Sequence, residues 1–572
     1  MTTVAPTRVS WMVHAASGIA VGLAGVTVLF WPVIQPQGRG KLWADSFDPR
    51  LVYWIAEWGY HALFELKDPA ALWNANSFYP HRLTLAYSES FLGLQVVYGP
   101  LRLLGFPPLT ALYASLASIG VLASLLSALA LARLREFAFW ETLTVLVASH
   151  FALPMTAFLV HYQLFAFELA PPFLLYWIVY IRDQRWQDLA KCCGIFCFAV
   201  GLSAYFAPMM AMVALAVALP WVTSLVRDMT AKSAAVLAGA AVLIFFVQLR
   251  PYLELHMRFG STAVADAATY SARPWSIITG KPVSSHWYAP SGYAKYGDWE
   301  RTLFPGYALL VGSAAFVACA LRRGWRTLRS QRGDVLLAAV VLFFVVWILS
   351  WGPFLASAPA VKLPFYFLSI VPGLGSIRAP GRFGMLLGLP LAVFTIHALR
   401  DLVPSARVRA LVGFVVLAIV AIESWPQFGL HPFPFARERY EPVKALIAPG
   451  TPLLELPVVR SDNFATLANV MDQLDGSTVH WARLVVGYGA RTTETFAQLV
   501  DVDGRLQRGE AEVSELVRFA RGLGIRHMWI HLDRYSESVA QRFRQAFGTG
   551  TLPQPTYLDR GSAWVVWVED KP

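Results

Sequence analysis

Two aspartates follow the first hydrophobic stretch of the chain, in KLWADSFDPRLVYWIAEW from Lys41 to Trp58. Asp45 and Asp48 stand three residues apart. A carboxylate so placed can take a proton from an attacking hydroxyl, and a pair of them can share part of a divalent cation's shell. A second chemistry-bearing run is SIRAPGRFGMLLGL, 376 to 389, with Arg378 and Arg382 at the head of an apolar segment. The planar guanidinium matches phosphate oxygens, and Pro380–Gly381 between the two arginines could bring backbone close to an anion. Arg250 is a third cation of this kind. Each has a plainer alternative: Asp48 can simply cap a helix whose first turn holds Pro49, and the arginines can snorkel to headgroups.

Further polar residues surround these runs. Glu57 lies in the helical stretch after Asp48, and FYPHRLTLAYSES (78 to 90) supplies His81, Tyr87 and Glu89 as candidate substrate contacts. Glu168, in HYQLFAFELAPPFLLYW, sits inside an apolar run and on helical spacing shares a face with His161. An ionisable residue within a membrane span is a functional candidate by default. Pro171 and Pro172 would free backbone groups beside it, so a structural role is equally open. Glu300, in WERTLFPG, closes a loop dense in aromatics that includes Tyr270, Trp275, Trp287 and Trp299. Those rings can stack on a sugar or form an interfacial belt.

The elements that must position these residues follow from composition. Of 572 residues, 56% are hydrophobic and 15% charged, and the mean hydropathy is +0.49. That is a polytopic membrane protein, not a soluble enzyme. The net charge of +11 sits in short connections between apolar runs, which excludes nucleic acid as the reason for it. Cys192, Cys193, Cys197 and Cys319 fall at or inside apolar runs, as core residues do. There is no Walker loop, nucleophile elbow or HExxH.

Apolar runs near 11–34, 109–132, 138–158, 162–181, 191–207, 208–226, 233–249, 303–321, 334–352, 382–399 and 408–426 are long enough to span. The basic connections RLREF, RDQRWQDLAK, RDMTAK, RRGWRTLRSQR and RDLVPSARVR all fall on one side if the run 87–104 is juxtamembrane or re-entrant. The expectation is about eleven spans, the N-terminus cytoplasmic, and extracytoplasmic loops at 35–108, 250–302 and 353–381. On a helix, Leu51, Ile55, Trp58 and Ala62 form an apolar stripe suited to the bilayer interface. After the prolines at 432, 434 and 442 the pattern changes. PLLELPVV, HMWIHLD and AWVVWVED read as strands and GEAEVSELVRFARGLG (509–524) as an amphipathic helix. The chain thus divides into a transmembrane domain, 1–432, and a small extracytoplasmic α/β domain, 433–572.

With its aspartate just past the first span followed by PRLVYWIAEWGYHAL, its long first outer loop, its odd span number and its C-terminal outer domain, the sequence resembles the GT-C superfamily of membrane glycosyltransferases. Within it, the likeness is to polyprenyl-phosphate-sugar-dependent enzymes related to protein O-mannosyltransferases and lipid A aminoarabinose transferases. SIRAPGRFG, ERTLFPG, DPRL and FYPHRLTLAYSE also look like an uncharacterised bacterial multi-span group placed with GT-C enzymes. The resemblance implies an inverting hexosyl- or pentosyltransferase in the bacterial inner membrane, with a polyprenyl-phosphate sugar as donor and a cell-envelope glycan, lipid or protein as acceptor. The catalytic base maps onto Asp48 first and Asp45 second. Pro49 replaces the second acid of the usual acidic pair, so Asp45 is the alternative. Two carboxylates alone make an incomplete Mg²⁺ or Mn²⁺ site, which leaves a metal open. A flippase for lipid-linked glycans and a non-catalytic assembly protein are the rival classes.

Overall fold

The computed structural model describes residues 8–260, 264–278, 301, 303–323, 334–355, 358–371, 374–425, 429–459, 463–489, 491–550, 552–559 and 561–566. Helix α1 (Arg8–Ile34) has 27 residues, about 40 Å at 1.5 Å per residue, enough for a hydrocarbon core of about 30 Å. After it come β1 (Leu42–Trp43), α2 (Asp48–Tyr60) and α3 (Gln95–Leu103). At nine residues, α3 is about 14 Å long and too short to cross. Next, α4 (Pro108–Leu134) is a full-length apolar helix, whereas α5 (Phe139–His150) stops after 12 residues.

The stretch 138–158 is therefore not one helix. After α5 the chain makes a single turn, α6 (Leu153–Thr156), then winds as a 3₁₀ helix from Tyr162 to Leu169 into α7 (Ala170–Asp183). Pro154, Pro171 and Pro172 each lie in the first turn of the element that restarts after a break, the position where a missing N–H costs nothing. The chain continues through α8 (Trp186–Leu202), α9 (Phe206–Ala218), α10 (Val222–Arg227), α11 (Ala231–Ile244), α12 (Arg250–Phe259), α13 (Val264–Thr269), α14 (Tyr307–Arg323) and α15 (Val335–Ser350). The hairpin β2 (Phe354–Leu355) with β3 (Ala358–Lys362) precedes α16 (Pro364–Leu368), α17 (Gly388–Leu402), α18 (Ala406–Glu423) and β4 (Leu430–His431). Among the described residues six helices are long and apolar enough to cross a membrane, and Tyr307–Arg322 and Val335–Ser350 are shorter apolar ones.

The rest of the chain supplies α19 (Glu441–Leu446), β5 (Pro452–Leu456), α20 (Asn463–His480), β6 (Arg483–Leu484), α21 (Glu494–Arg508), α22 (Val513–Gly522), β7 (His527–His531), α23 (Glu537–Gly548), β8 (Thr556–Asp559) and β9 (Ser562–Val566). Two compact units result. One comprises residues Met1–Ala44, Phe91–Val97 and Thr110–His431; the other comprises Asp45–Ser90, Tyr98–Leu109 and Pro432–Pro572.

The first unit is the helical one. Phe316 on α14 stacks on Phe394 of α17 with centroids 4.9 Å apart, and Phe343 of α15 meets the same ring edge-on at 5.7 Å. Three of the basic connections are bonded to each other. Arg133 pairs with Asp183 and Asp188, Arg182 donates to the carbonyls of Arg133 and Leu134, and Arg400 reaches Glu141 and the Glu136 carbonyl. Those three connections therefore share one face, as the charge pattern predicts. Trp43, fully buried, ends α1's excursion: its N–H donates to Tyr113 at 3.0 Å and its carbonyl accepts from Tyr162 at 2.9 Å, while β1 pairs antiparallel with β4.

The second unit is built on a five-stranded sheet in the order β6-β5-β7-β9-β8. The pairs β5–β6 and β5–β7 are parallel, and β7–β9 and β8–β9 antiparallel. PLLEL and HMWIH are central and buried on both faces, which explains their unbroken apolar runs. The helix expected over 509–524 starts later, at Val513, because Gly509 at φ +80° closes the preceding helix α21 in the left-handed conformation. Residues from the first loop belong to this unit. Leu484 N–H donates to the Asn76 carbonyl at 2.9 Å, and Tyr79 and Phe78 donate to Leu484 and Val486 at 2.8 and 2.9 Å. The stripe Leu51, Ile55, Trp58 and Ala62 is covered by protein, each residue at most 8% exposed, so α2 is a buried helix and not an interfacial one.

Candidate functional site

In the second unit, the head of α2 brings Asp45 and Asp48 together. Asp45 Oδ2 accepts the backbone N–H of Asp48 at 3.2 Å and of Phe47 at 3.4 Å. Asp45 thus takes the capping role expected of Asp48, and Asp48 becomes the first helical residue. Both side chains are half-buried.

Two residues on, Arg50 fixes this head. Its Nε donates to Asp475 Oδ2 at 2.6 Å and its Nη2 to Asp472 Oδ1 at 2.7 Å, both on α20. Trp54 adds bonds to Asn76 Oδ1 and Ser477 Oγ, each 3.2 Å. Farther along α2, Glu57 accepts from Tyr98 at 2.6 Å and from Arg102 Nε and Nη2 at 2.8 and 3.1 Å. That carboxylate is engaged on every side the structure describes, an arrangement that holds α2 against α3. His81 Nε2 lies 3.2 Å from Thr495 Oγ1. Tyr87 is buried on Phe78 at 5.2 Å, and Glu89 is half-buried two residues later.

In the first unit, Arg378 and Arg382 are carried on the irregular segment before α17. Arg378 is exposed and Arg382 half-buried. The Arg378 guanidinium donates from Nη2 to the Tyr270 hydroxyl at 2.9 Å and lies 4.9 Å from that ring; Arg382 lies 5.4 Å from the Tyr205 ring. Gly381 N–H is taken by the Tyr270 carbonyl at 3.1 Å, so the Pro-Gly backbone does not face an anion with that donor. Arg250 is exposed at the head of α12 and has no ion-pair partner among the described residues.

His161 and Glu168 do not share a face. Seven residues of α-helix return to within about 20° of the start, but 3₁₀ winding at three residues per turn leaves them about 120° apart. Glu168 instead meets His150 Nδ1 at 2.8 Å, and His150 Nε2 meets Ser127 Oγ at 2.9 Å, all three buried. His150 carries the same signal as Glu168, an ionisable side chain in an apolar run, and was readable on that ground. Tyr205 and the pair Asp472 and Asp475 carry no such signal, because their partners are distant in sequence. Glu300 and the aromatic cluster 286–299 lie outside the described residues.

Among the described residues no group of three or more His, Cys, Asp or Glu side chains could hold a metal. Asp45 Oδ2 already accepts two N–H groups, so Asp45 and Asp48 alone would make only a partial set of ligands for a Mg²⁺ or Mn²⁺ ion.

No family model matches the chain, and no curated protein matches it in sequence. Among solved structures, the cryo-EM structure of the arabinofuranosyltransferase AftD from Mycobacteria aligns over 99% of this chain at 14% identity with a TM-score of 0.55. The chain spans 40% of that protein's length. The archaeal oligosaccharyltransferase AglB of Archaeoglobus fulgidus, bound to an inhibitory peptide and dolichol-phosphate, aligns over 91% of this chain and 69% of its own at 11% identity and TM-score 0.39. An Archaeoglobus fulgidus oligosaccharyltransferase tethered to an acceptor peptide aligns over 98% and 74% at 11% and 0.31. The last two superpose too loosely to bear on the fold. These neighbours are GT-C glycosyltransferases, and at such identity what the chain shares is the fold.

Proposed function

We propose that this protein is an inverting membrane glycosyltransferase that moves a hexosyl or pentosyl group from a polyprenyl-phosphate donor to a cell-envelope acceptor. The observation that carries the reading is a fold shared with an arabinofuranosyltransferase over 99% of the chain; beside it stands Asp45, which after the first apolar helix of this chain accepts the N–H of Asp48. The reaction takes place on the extracytoplasmic face of a bacterial inner membrane, with the N-terminus cytoplasmic. An acceptor oxygen attacks C1 of the sugar while Asp48 takes the hydroxyl proton. The C1–O bond to phosphate breaks, and polyprenyl phosphate leaves with the electron pair. Since the leaving group departs as an anion, Arg378 and Arg382 serve it by charge and not by protonation. Asp45 holds the backbone of Asp48 and is the alternative base. His81, Tyr87 and Glu89 are proposed acceptor contacts.

The test is transfer of radiolabelled sugar from polyprenyl phosphate by membranes carrying wild type or Asp48→Asn at matched expression. A general base contributes about 10²–10⁴-fold, so Asp48→Asn should lose that much with the protein still folded. Equal transfer by both forms would remove Asp48 from the mechanism. Protein-dependent movement of the lipid-linked sugar without transfer would move the protein to the flippase class. Chelation of divalent cations in the same assay decides whether the carboxylate pair works with a metal.

A further inference from the structure

In the helical unit, two segments far away in sequence converge on the pair Arg378 and Arg382. Tyr205, between α8 and α9, accepts the backbone N–H of Arg378 and, at 3.1 Å, of Ala379. Its ring lies 5.4 Å from the Arg382 guanidinium carbon. Tyr270, just after α13, accepts from Arg378 Nη2 at 2.9 Å and lies with its ring 4.9 Å from the same guanidinium. The Tyr270 carbonyl takes the N–H of Gly381, pinning the backbone midway between the two arginines.

The partners at this place differ from those of other well-placed arginines in the chain. Arg50, Arg102, Arg133 and Arg400 each meet a carboxylate within 3.2 Å. Arg378 meets none among the described residues and is exposed. A carboxylate would fix a guanidinium and cancel its charge in one step. A tyrosine ring and hydroxyl fix it and leave the charge in place, because the quadrupole attracts the cation without titrating it, and the remaining N–H donors stay at the guanidinium edge. That is the electrostatic requirement of an anion site assembled before its ligand arrives.

We propose that Tyr205 and Tyr270 are the positioning residues of a phosphate clamp whose contacts are Arg378 and Arg382, and that the ligand is the phosphate of a long-chain lipid. The donor phosphate named above is that ligand, so the proposal rests on the glycosyltransferase reading for its physiological role; the clamp itself is testable without transfer.

The experiment measures binding of three probes to the purified full chain in nanodiscs: polyprenyl phosphate, the uncharged polyprenol, and inorganic phosphate as competitor. The readout is the ratio of affinities for the phosphate and the alcohol. General damage to the fold lowers both affinities and leaves the ratio, whereas loss of the clamp lowers only the first. Wild type should prefer the phosphate. Arg378→Ala and Tyr270→Leu should each reduce that preference roughly tenfold, Tyr270→Phe by less because the ring remains, and Tyr205→Leu by a similar factor through both arginines. If Tyr270→Leu does not fold, Tyr270→Phe and Tyr205→Phe carry the test. A wild type that binds phosphate and alcohol alike, or tyrosine variants that keep the wild-type ratio, overturns the clamp. Inorganic phosphate displacing polyprenyl phosphate at equal concentration overturns the lipid assignment. Selective phosphate binding in a protein that transfers no sugar supports the clamp and removes the transferase reading instead.

Discussion

The ion pair between Arg50 and α20 should be among the costliest contacts to break in the sheet-containing unit, and its two ends should differ. The Arg50 side chain is 4% exposed and its Asp475 partner 1%, whereas Asp472 is 25% exposed and lies 3.5 Å from Arg534 as well. Asp475→Ala leaves the dry Nε side of the guanidinium without its partner, with only the partly exposed Asp472 as counter-charge, a loss of about 3–5 kcal/mol. Asp472→Ala lets water replace the lost oxygen and should cost about 1–2 kcal/mol. At about 2–4 °C per kcal/mol for a unit of this size, Asp475→Ala should lower the unfolding midpoint by about 10 °C. The assay is thermal unfolding of purified protein followed by a fluorophore on α20, together with the rate of sugar transfer, since Arg50 sits two residues beyond Asp48. Replacing both partners, Arg50→Met with Asp475→Leu, should recover part of the loss, because no buried charge then faces Asp475's place. The reasoning fails if Asp472→Ala costs as much as Asp475→Ala, or if the double variant is no more stable than the worse single one.

Other outcomes follow from the same geometry. Arg102→Ala strands the buried Glu57 with only Tyr98, and should cost about 3 kcal/mol in the unit that holds both, read as faster proteolysis between α2 and α3; Glu57→Gln should be milder. Gly306 sits at φ +98° with the place of a Cβ 2.6 Å from Glu423 Oε2, the oxygen that accepts from Ala308 N–H at the head of α14; Gly306→Ala should therefore lower the melting temperature of the helical unit, through both the left-handed backbone and the displaced cap. Burial pushes Glu455 up from 4.5 to about 7 against Arg534, His480 and Arg439, and pushes His480 down from 6.5 to about 4. The folded state binds Glu455's proton more tightly, so that stabilisation is complete below about pH 4.5 and is lost as pH rises through 7, a span worth about 3 kcal/mol; His480 works in the opposite sense over about pH 4 to 6.5. Glu455→Gln should therefore gain stability relative to wild type as pH rises from 4.5 to 7, and a pH-independent difference in melting temperature would refute the assignment.

What the sequence made legible was what depends on local pattern. Apolar runs, basic connections and the unbroken strands PLLEL and HMWIH are set by composition over a few residues, and the structure places helices and strands at those runs. The break after His150 was not legible because the apolar run continues across it; the prolines at 154, 171 and 172 marked it only once each was seen to restart an element. The membership of 45–90 in the unit with the sheet was not legible either, because it rests on pairings such as Asn76 with Leu484 and Arg50 with Asp475, which are separated by about four hundred positions. Hydropathy treated α2 as half wet and so left Arg50 without a task. Burial on every face gives it one, since a charge without water must have a partner.

The same principle sorts the candidate residues better than their chemical type does. Glu57 and Glu168 were conspicuous as charges in apolar surroundings and Arg50 was not, yet each of the three has dedicated partners at 2.6 to 2.8 Å, and a group so satisfied gains little from a substrate. Arg378 is held by a neutral hydroxyl and a ring, and Asp45 offers its carboxylate to backbone N–H groups at the start of a helix. Both are fixed in place while no oppositely charged side chain among the described residues cancels their charge. Catalysis by preorganised charge needs that combination, because a group that must first reorient or shed a counter-ion repays the cost at the transition state. On the proposed reading, Asp48, whose own N–H Asp45 holds, and Arg378, on the tyrosine ring, are therefore the two positions at which a single substitution should change the chemistry while leaving the scaffold intact.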